Sequence, residues 1–134
     1  MFNPFPELLT YSLLAPFILR TTVGFMFIAL GMSAITGDRQ TIEQIFHNWK
    51  VRRGREMAFL LGAVEIIIGA ALTLGLYTQI AAIFVTLMSL FFLIFSRFRV
   101  LPGRLSARIY FLMLAISISL MFSGAGFFAL DLPL

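Results

Sequence analysis

Four apolar stretches separated by shorter polar ones run through the 134-residue chain. They cover about residues 13–35, 57–76, 80–95 and 109–128. A helix needs about 20 apolar residues to cross a hydrocarbon core about 30 Å thick, and the stretches are near that length. Backbone N–H and C=O groups find no water in lipid, so such stretches are predicted to be helices. The link Tyr77-Thr78-Gln79 leaves room for a tight turn alone, which makes the second and third helices antiparallel neighbours. The predicted fold is an all-α membrane protein, a four-transmembrane-helix bundle forming one domain over residues 1–134.

The polar stretch 37–56 has a pattern of its own. Thr41-Ile42-Glu43-Gln44 fits a capping box. Ile42, Ile45, Phe46 and Trp49 then recur at helical spacing. This predicts a short amphipathic helix lying at the interface between helices 1 and 2, anchored by Trp49. The third apolar stretch has no charge and is dominated by Phe84, Phe91, Phe92 and Phe95, as expected of a lipid-facing or packing helix. The lead Met1–Tyr11 has no basic residue before the first apolar stretch, so that stretch is read as a retained helix and not a cleaved signal.

Composition agrees with the pattern. Hydrophobic residues make up 60% of the chain and charged residues 12%, against about 25% charged in an average soluble domain. The net charge of +4 comes from basic residues gathered in two loops, 37–56 and 96–108. Lys50, Arg52, Arg53 and Arg55 lie in the first, and Arg97, Arg99, Arg104 and Arg108 in the second. Charge that flanks apolar spans fits a membrane surface and not nucleic acid. The positive-inside rule places both loops in the cytoplasm and both termini outside, in a multi-pass protein of the inner (plasma) membrane. The absence of cysteine excludes disulfides and thiolate chemistry within the chain.

The candidate chemistry lies in three ionisable residues within or beside the apolar stretches: Arg20, Glu65 and Asp131. A charge at mid-membrane costs about 2.5–3.5 kcal/mol on insertion scales, so each is expected to be paired or to face a polar cavity. At about 100° per residue, Arg20 shares a helix face with Gly24 and Gly31, and Glu65 shares one with Gly62 and Gly69. Glycines at such spacing are helix-packing residues, because they let a neighbouring helix approach. Arg20 could reach Asp131, Glu65 or both. The constellation reads either as an ion pair that fixes helix register or as a polar pocket for a small ligand, quinone headgroup or proton. No catalytic residue is assigned. His47 has no other ligand near it in the pattern, so no metal site is expected. No catalytic triad, phosphate loop or dinucleotide fingerprint is present.

Three segments resemble the DoxX family of small membrane proteins. The first, ILRTTVGFMFIALG (Ile18 to Gly31), is similar to its opening helix, with Arg followed by spaced glycines. LLGAVEIIIGAALTLGLYTQIAA (Leu60 to Ala82) is similar to its G-x-x-E-x-x-x-G stretch, and SGAGFFALD (Ser123 to Asp131) to its close. Leu30 and Ala34 stand where the family often has His and Lys, Gln79 where it usually has Arg, and Ala129 where it has Ser. The family's usual charge pattern implies termini inside, the reverse of this chain's loops.

The resemblance implies a subunit or accessory factor of a quinone-linked membrane redox system, as some members are subunits of thiosulfate:quinone oxidoreductase. It would be a non-catalytic subunit, with quinone as the cofactor to consider, the lipid bilayer and a soluble or membrane redox subunit as partners, and self-association as a further expectation. A structural or assembly protein without activity of its own is the alternative. A small proton-coupled transporter, with Glu65 as the exchanging acid, is a third.

Overall fold

The computed structural model describes residues 14–37, 43, 53–97, 106–124 and 126, with the backbone alone over 95–97. Among them are four helices and no strand: α1 (Leu14–Thr36), α2 (Gly54–Leu74), α3 (Thr78–Arg97) and α4 (Ala107–Ser123). The protein is an all-α, four-helix bundle. α1 and α2 are each long and apolar enough to cross a membrane, and the apolar parts of α3 and α4 are shorter. The expected interfacial helix, with Trp49 and His47, lies outside the described residues save Glu43.

The helix ends differ from the expected ones for local reasons. The second helix stops at Leu74 instead of 76, because Gly75 takes φ 71 and ψ 36. Its N–H donates to the carbonyl of Leu72 at 3.1 Å, and that of Leu76 to Ala71 at 2.9 Å, the paired bonds that close a helix on a left-handed residue. The turn is therefore Gly75–Tyr77, and Thr78 and Gln79 belong to α3. The last helix was expected to run to residue 128. It ends at Ser123, where Gly124 has φ 75 and donates to the Leu120 carbonyl at 3.1 Å.

α1 packs chiefly on α2, and α3 chiefly on α4; smaller α2–α3 and α4–α1 contacts close the ring. The α1–α2 contact is made by glycine. A Cβ placed on Gly31 would lie 2.5 Å from the carbonyl oxygen of Gly62, and one on Gly62 would lie 2.7 Å from that of Gly31. Gly24 and Gly69 are related in the same way, at 2.8 and 2.6 Å. Moving seven residues forward in α1 moves seven back in α2, so the two are antiparallel with a fixed register. The Thr73 hydroxyl, which donates to the Gly69 carbonyl at 2.8 Å, sits where a side chain on Gly24 would stand.

The α3–α4 contact uses other means. Phe92 stacks on Tyr110 with ring centroids 5.3 Å apart, and Thr86 Oγ1 lies 2.8 Å from Ser117 Oγ. Ala81, Ala82 and Val85 of α3 face inward, while Ile83, Phe84, Leu87 and Phe91 face outward. The uncharged third helix thus both packs and presents an apolar outer surface.

Glycine closure predicts a position-specific cost. Gly31→Ala sets a methyl group against backbone atoms of α2 that cannot rotate away, and lowers stability by about 1–3 kcal/mol. Gly37→Ala, whose Cβ would meet the Ser33 carbonyl at an ordinary 3.7 Å, changes it by less than about 0.5 kcal/mol. Unfolding of the purified protein in mixed micelles measures both.

Candidate functional site

Arg20 and Glu65 are both 0% exposed. Each lies in the middle of its helix's buried arc. In α2 the glycines mark one edge of that arc and Ile68 the other, with Glu65 between them at about 100° per residue. In α1 Arg20 lies between the Gly24–Gly31 edge and the Val23–Leu30 edge. Ser89 of α3, between Val85 and Ala82 on its inward face, and Ser117 of α4, between Met113 and Tyr110 on its own, are also buried. Each of the four helices thus carries a buried polar side chain among the apolar ones of its inward face.

The glycine register puts these residues on levels. Arg20, four residues before Gly24, stands opposite Thr73, four beyond Gly69. Glu65, four before Gly69, stands opposite Ile28. Arg20 and Glu65 are thus offset by about 12 Å along the helix axis, at 1.5 Å per residue. The directions of the side chains widen the offset. Helical side chains lean toward their own N-terminus, and in antiparallel helices these two lean apart. Arg20 shows it, its guanidinium carbon lying 5.5 Å from the ring centroid of Phe17, one turn earlier.

Arg20 belongs to the end of the bundle that holds the α2–α3 turn, with Thr73 and buried Thr78 at that level. Glu65 belongs to the middle. Counting equally from the turn, nine residues before Leu74 is Glu65 and nine beyond Thr78 is Leu87. Thr86 and Ser89 flank that level, and Thr86 brings Ser117 to it through their hydrogen bond. Asp131, the third expected member, lies outside the described residues.

The chemistry at the two levels differs. The Arg20 level offers a cation resting on an aromatic ring, suited to a carbonyl or anionic oxygen. The Glu65 level offers one carboxyl and three hydroxyls. Among those hydroxyls, Ser117 lies 3.0 Å from the Leu114 carbonyl and Thr86 2.8 Å from that of Ala82, so their two protons are shared between these carbonyls and the contact across the helices. Among the described residues no group of three or more His, Cys, Asp or Glu is placed to hold a metal ion.

The family model for DoxX matches residues 15–97, most of the chain. The chain belongs to the DoxX family. Searches of curated proteins and of solved structures return no match. The DoxX match takes in α1 to α3 with Arg20, Glu65 and all four packing glycines, and stops before α4 and Asp131. Family membership and the apolar helices make this a helical membrane protein.

The hydroxyls of Thr86, Ser89 and Ser117 are members of the site that the charged residues do not point to. Their signal was present in the sequence. Ser89 recurs with Ala82 and Val85 on the small-residue face of α3, which is the face that packs inward.

The separate levels have an energetic consequence. Arg20→Met and Glu65→Gln are expected to act independently, so that losses in the double variant sum to within about 0.5 kcal/mol. Unfolding of the single and double variants in micelles measures the coupling. Recovery of full stability in the double variant would instead reveal a direct pair.

Proposed function

We propose that the chain spans the membrane four times as a non-catalytic subunit or accessory factor of a quinone-linked redox system, with Arg20 as the contact for the quinone headgroup. The observation that carries this reading is that both buried charges lie on a helix pair whose register is already set by Gly24–Gly69 and Gly31–Gly62. An ion pair is not needed to fix that register, and the offset between Arg20 and Glu65 does not favour one. Arg20 over Phe17, beside Thr78 at the bundle's end, combines a donor for a carbonyl oxygen with an aromatic surface for a ring. The chain has no cysteine, so electrons would travel on the quinone and on a partner subunit.

Purification in mild detergent, followed by mass spectrometry of bound lipids and proteins, tests this. Quinone and a redox subunit are expected at near-stoichiometric amounts. Arg20→Met is expected to lower bound quinone at least about tenfold, the loss of a charge-assisted hydrogen bond. A well-folded, quinone-free bundle would overturn the reading.

A second reading, a structural or assembly protein, is favoured by the complete burial of both charges, which leaves neither reachable from outside in this conformation. It predicts that the same variants reduce folded yield while partner activity per folded chain stays unchanged.

The antiparallel order gathers exposed Arg53, Arg55 and Arg108 at one end of the bundle, opposite the Gly75–Tyr77 turn. Arg53 is steadied there by Glu56 at 3.4 Å. This supports a plasma-membrane orientation with that end in the cytoplasm and the termini outside. The chain is naturally cysteine-free, so single cysteines report directly. In intact cells an impermeant maleimide is expected to label Tyr77→Cys and spare Ser106→Cys. The opposite pattern would reverse the orientation.

A further inference from the structure

Ser89 is an exception among the helix hydroxyls. Thr22, Thr36 and Thr73 donate to the carbonyl four residues back at 2.8 Å and Ser33 to the one three back, while Thr86 and Ser117 share their two protons between carbonyls of their own helices and each other. Ser89, on the buried arc of α3 between Val85 and Ala82 and 0% exposed, makes no hydrogen bond with its Oγ. A serine hydroxyl carries one donor and two acceptor positions, and a buried one left unused ordinarily marks an ordered water or ion. The apolar side chains around it, Val85, Phe92 and Met113, are themselves almost fully buried. With neighbours so buried, a small polar guest such as water is the simplest partner for the hydroxyl.

We propose that Ser89 and Glu65 together hold an ordered water in the bundle axis at mid-depth. The two residues lie on neighbouring antiparallel helices joined by the Gly75–Tyr77 turn, and their levels differ by two residues, about 3 Å. Both are fully buried on the inward faces of their helices. A carboxyl group accepts more than one hydrogen bond, so it can serve the water alongside its other contacts. A water needs two to four polar partners to be held in a protein interior. Ser89 and Glu65 supply two, and Thr86 Oγ1 offers a spare lone pair at the same level. The site gives the Glu65 carboxyl a hydrogen-bonding partner at a depth where lipid supplies none. It stands apart from the quinone reading, which rests on the Arg20 level.

Radiolytic footprinting of the whole protein in nanodiscs tests the site, because hydroxyl radicals form at ordered waters and mark the side chains beside them. Met113 is the reporter: it is 1% exposed and lies on α4 near the level of Ser89. In the unaltered protein Met113 is expected to be oxidised despite its burial. Ser89→Val, which fills the space, is expected to reduce that oxidation by an order of magnitude, with helicity by circular dichroism confirming the fold. Should Ser89→Val not fold, Ser89→Ala removes the hydroxyl without added bulk and is expected to act in the same direction. An unmarked Met113 in the unaltered protein, or undiminished marking in a folded Ser89 variant, overturns the proposal. Marking that survives Glu65→Leu overturns the part assigned to Glu65.

Discussion

The bundle depends on the absence of four Cβ atoms. In lipid the hydrophobic effect does not drive helices together, because the tails are as apolar as leucine; close packing does. Gly24, Gly31, Gly62 and Gly69 let the α1 and α2 backbones approach until each carbonyl occupies the place of the other helix's missing side chain. The contact is reciprocal and repeats after seven residues, so sliding one helix along the other loses both points at once. Everything said about levels follows from it. Once Gly24 faces Gly69, Arg20 must stand near the turn end and Glu65 near the middle.

The α3–α4 pair reaches the same end by different chemistry. A stacked Phe92–Tyr110 pair and the Thr86–Ser117 hydroxyls take the place of glycine. Interhelical hydrogen bonds in membranes are worth about 0.6 kcal/mol on average, so aromatic area carries most of that contact. The bundle is thus two tight pairs, α1–α2 and α3–α4, meeting along lesser contacts. Arg20, Glu65 and Ser89 are buried on the inward faces of these pairs, while Thr86 and Ser117 lie in the α3–α4 contact itself. A seam between two well-packed pairs is the least costly place for groups that cannot fill space as efficiently as apolar ones, and the easiest place for the bundle to part.

Much of this was legible in the residues. Apolar length gave four helices, and helical spacing put Gly62, Glu65 and Gly69 on one face, which is the buried one. The register between helices was not legible, since it depends on which glycine meets which, and spacing within one helix does not say. That is why Arg20 looked free to choose between Glu65 and Asp131. The turn moved by two residues because Gly75 adopts a left-handed conformation that Gly-Leu-Tyr alone does not announce. Ser89, Thr86 and Ser117 were overlooked because a lone hydroxyl in an apolar run ordinarily bonds its own helix, as Thr86 and Ser117 also do. The DoxX match ends at residue 97, so the family pattern read at Ser123–Asp131 lies beyond it.

The α1–α2 register does not depend on the two buried charges. Replacing a buried ion pair with apolar residues of similar volume is often neutral or stabilising by about 1–4 kcal/mol. A bundle already locked by glycine, aromatic stacking and hydroxyl bonds gains little register from charges on different levels. What those charges add is distinct chemistry at two depths: a cation over an aromatic ring near one end, and a carboxyl among hydroxyls at the centre. The proposed reading assigns a ligand to the first of these levels and a water to the second. Because register resides in the glycines, the chemistry can be removed while the scaffold stands, and the two roles can be separated by substitution.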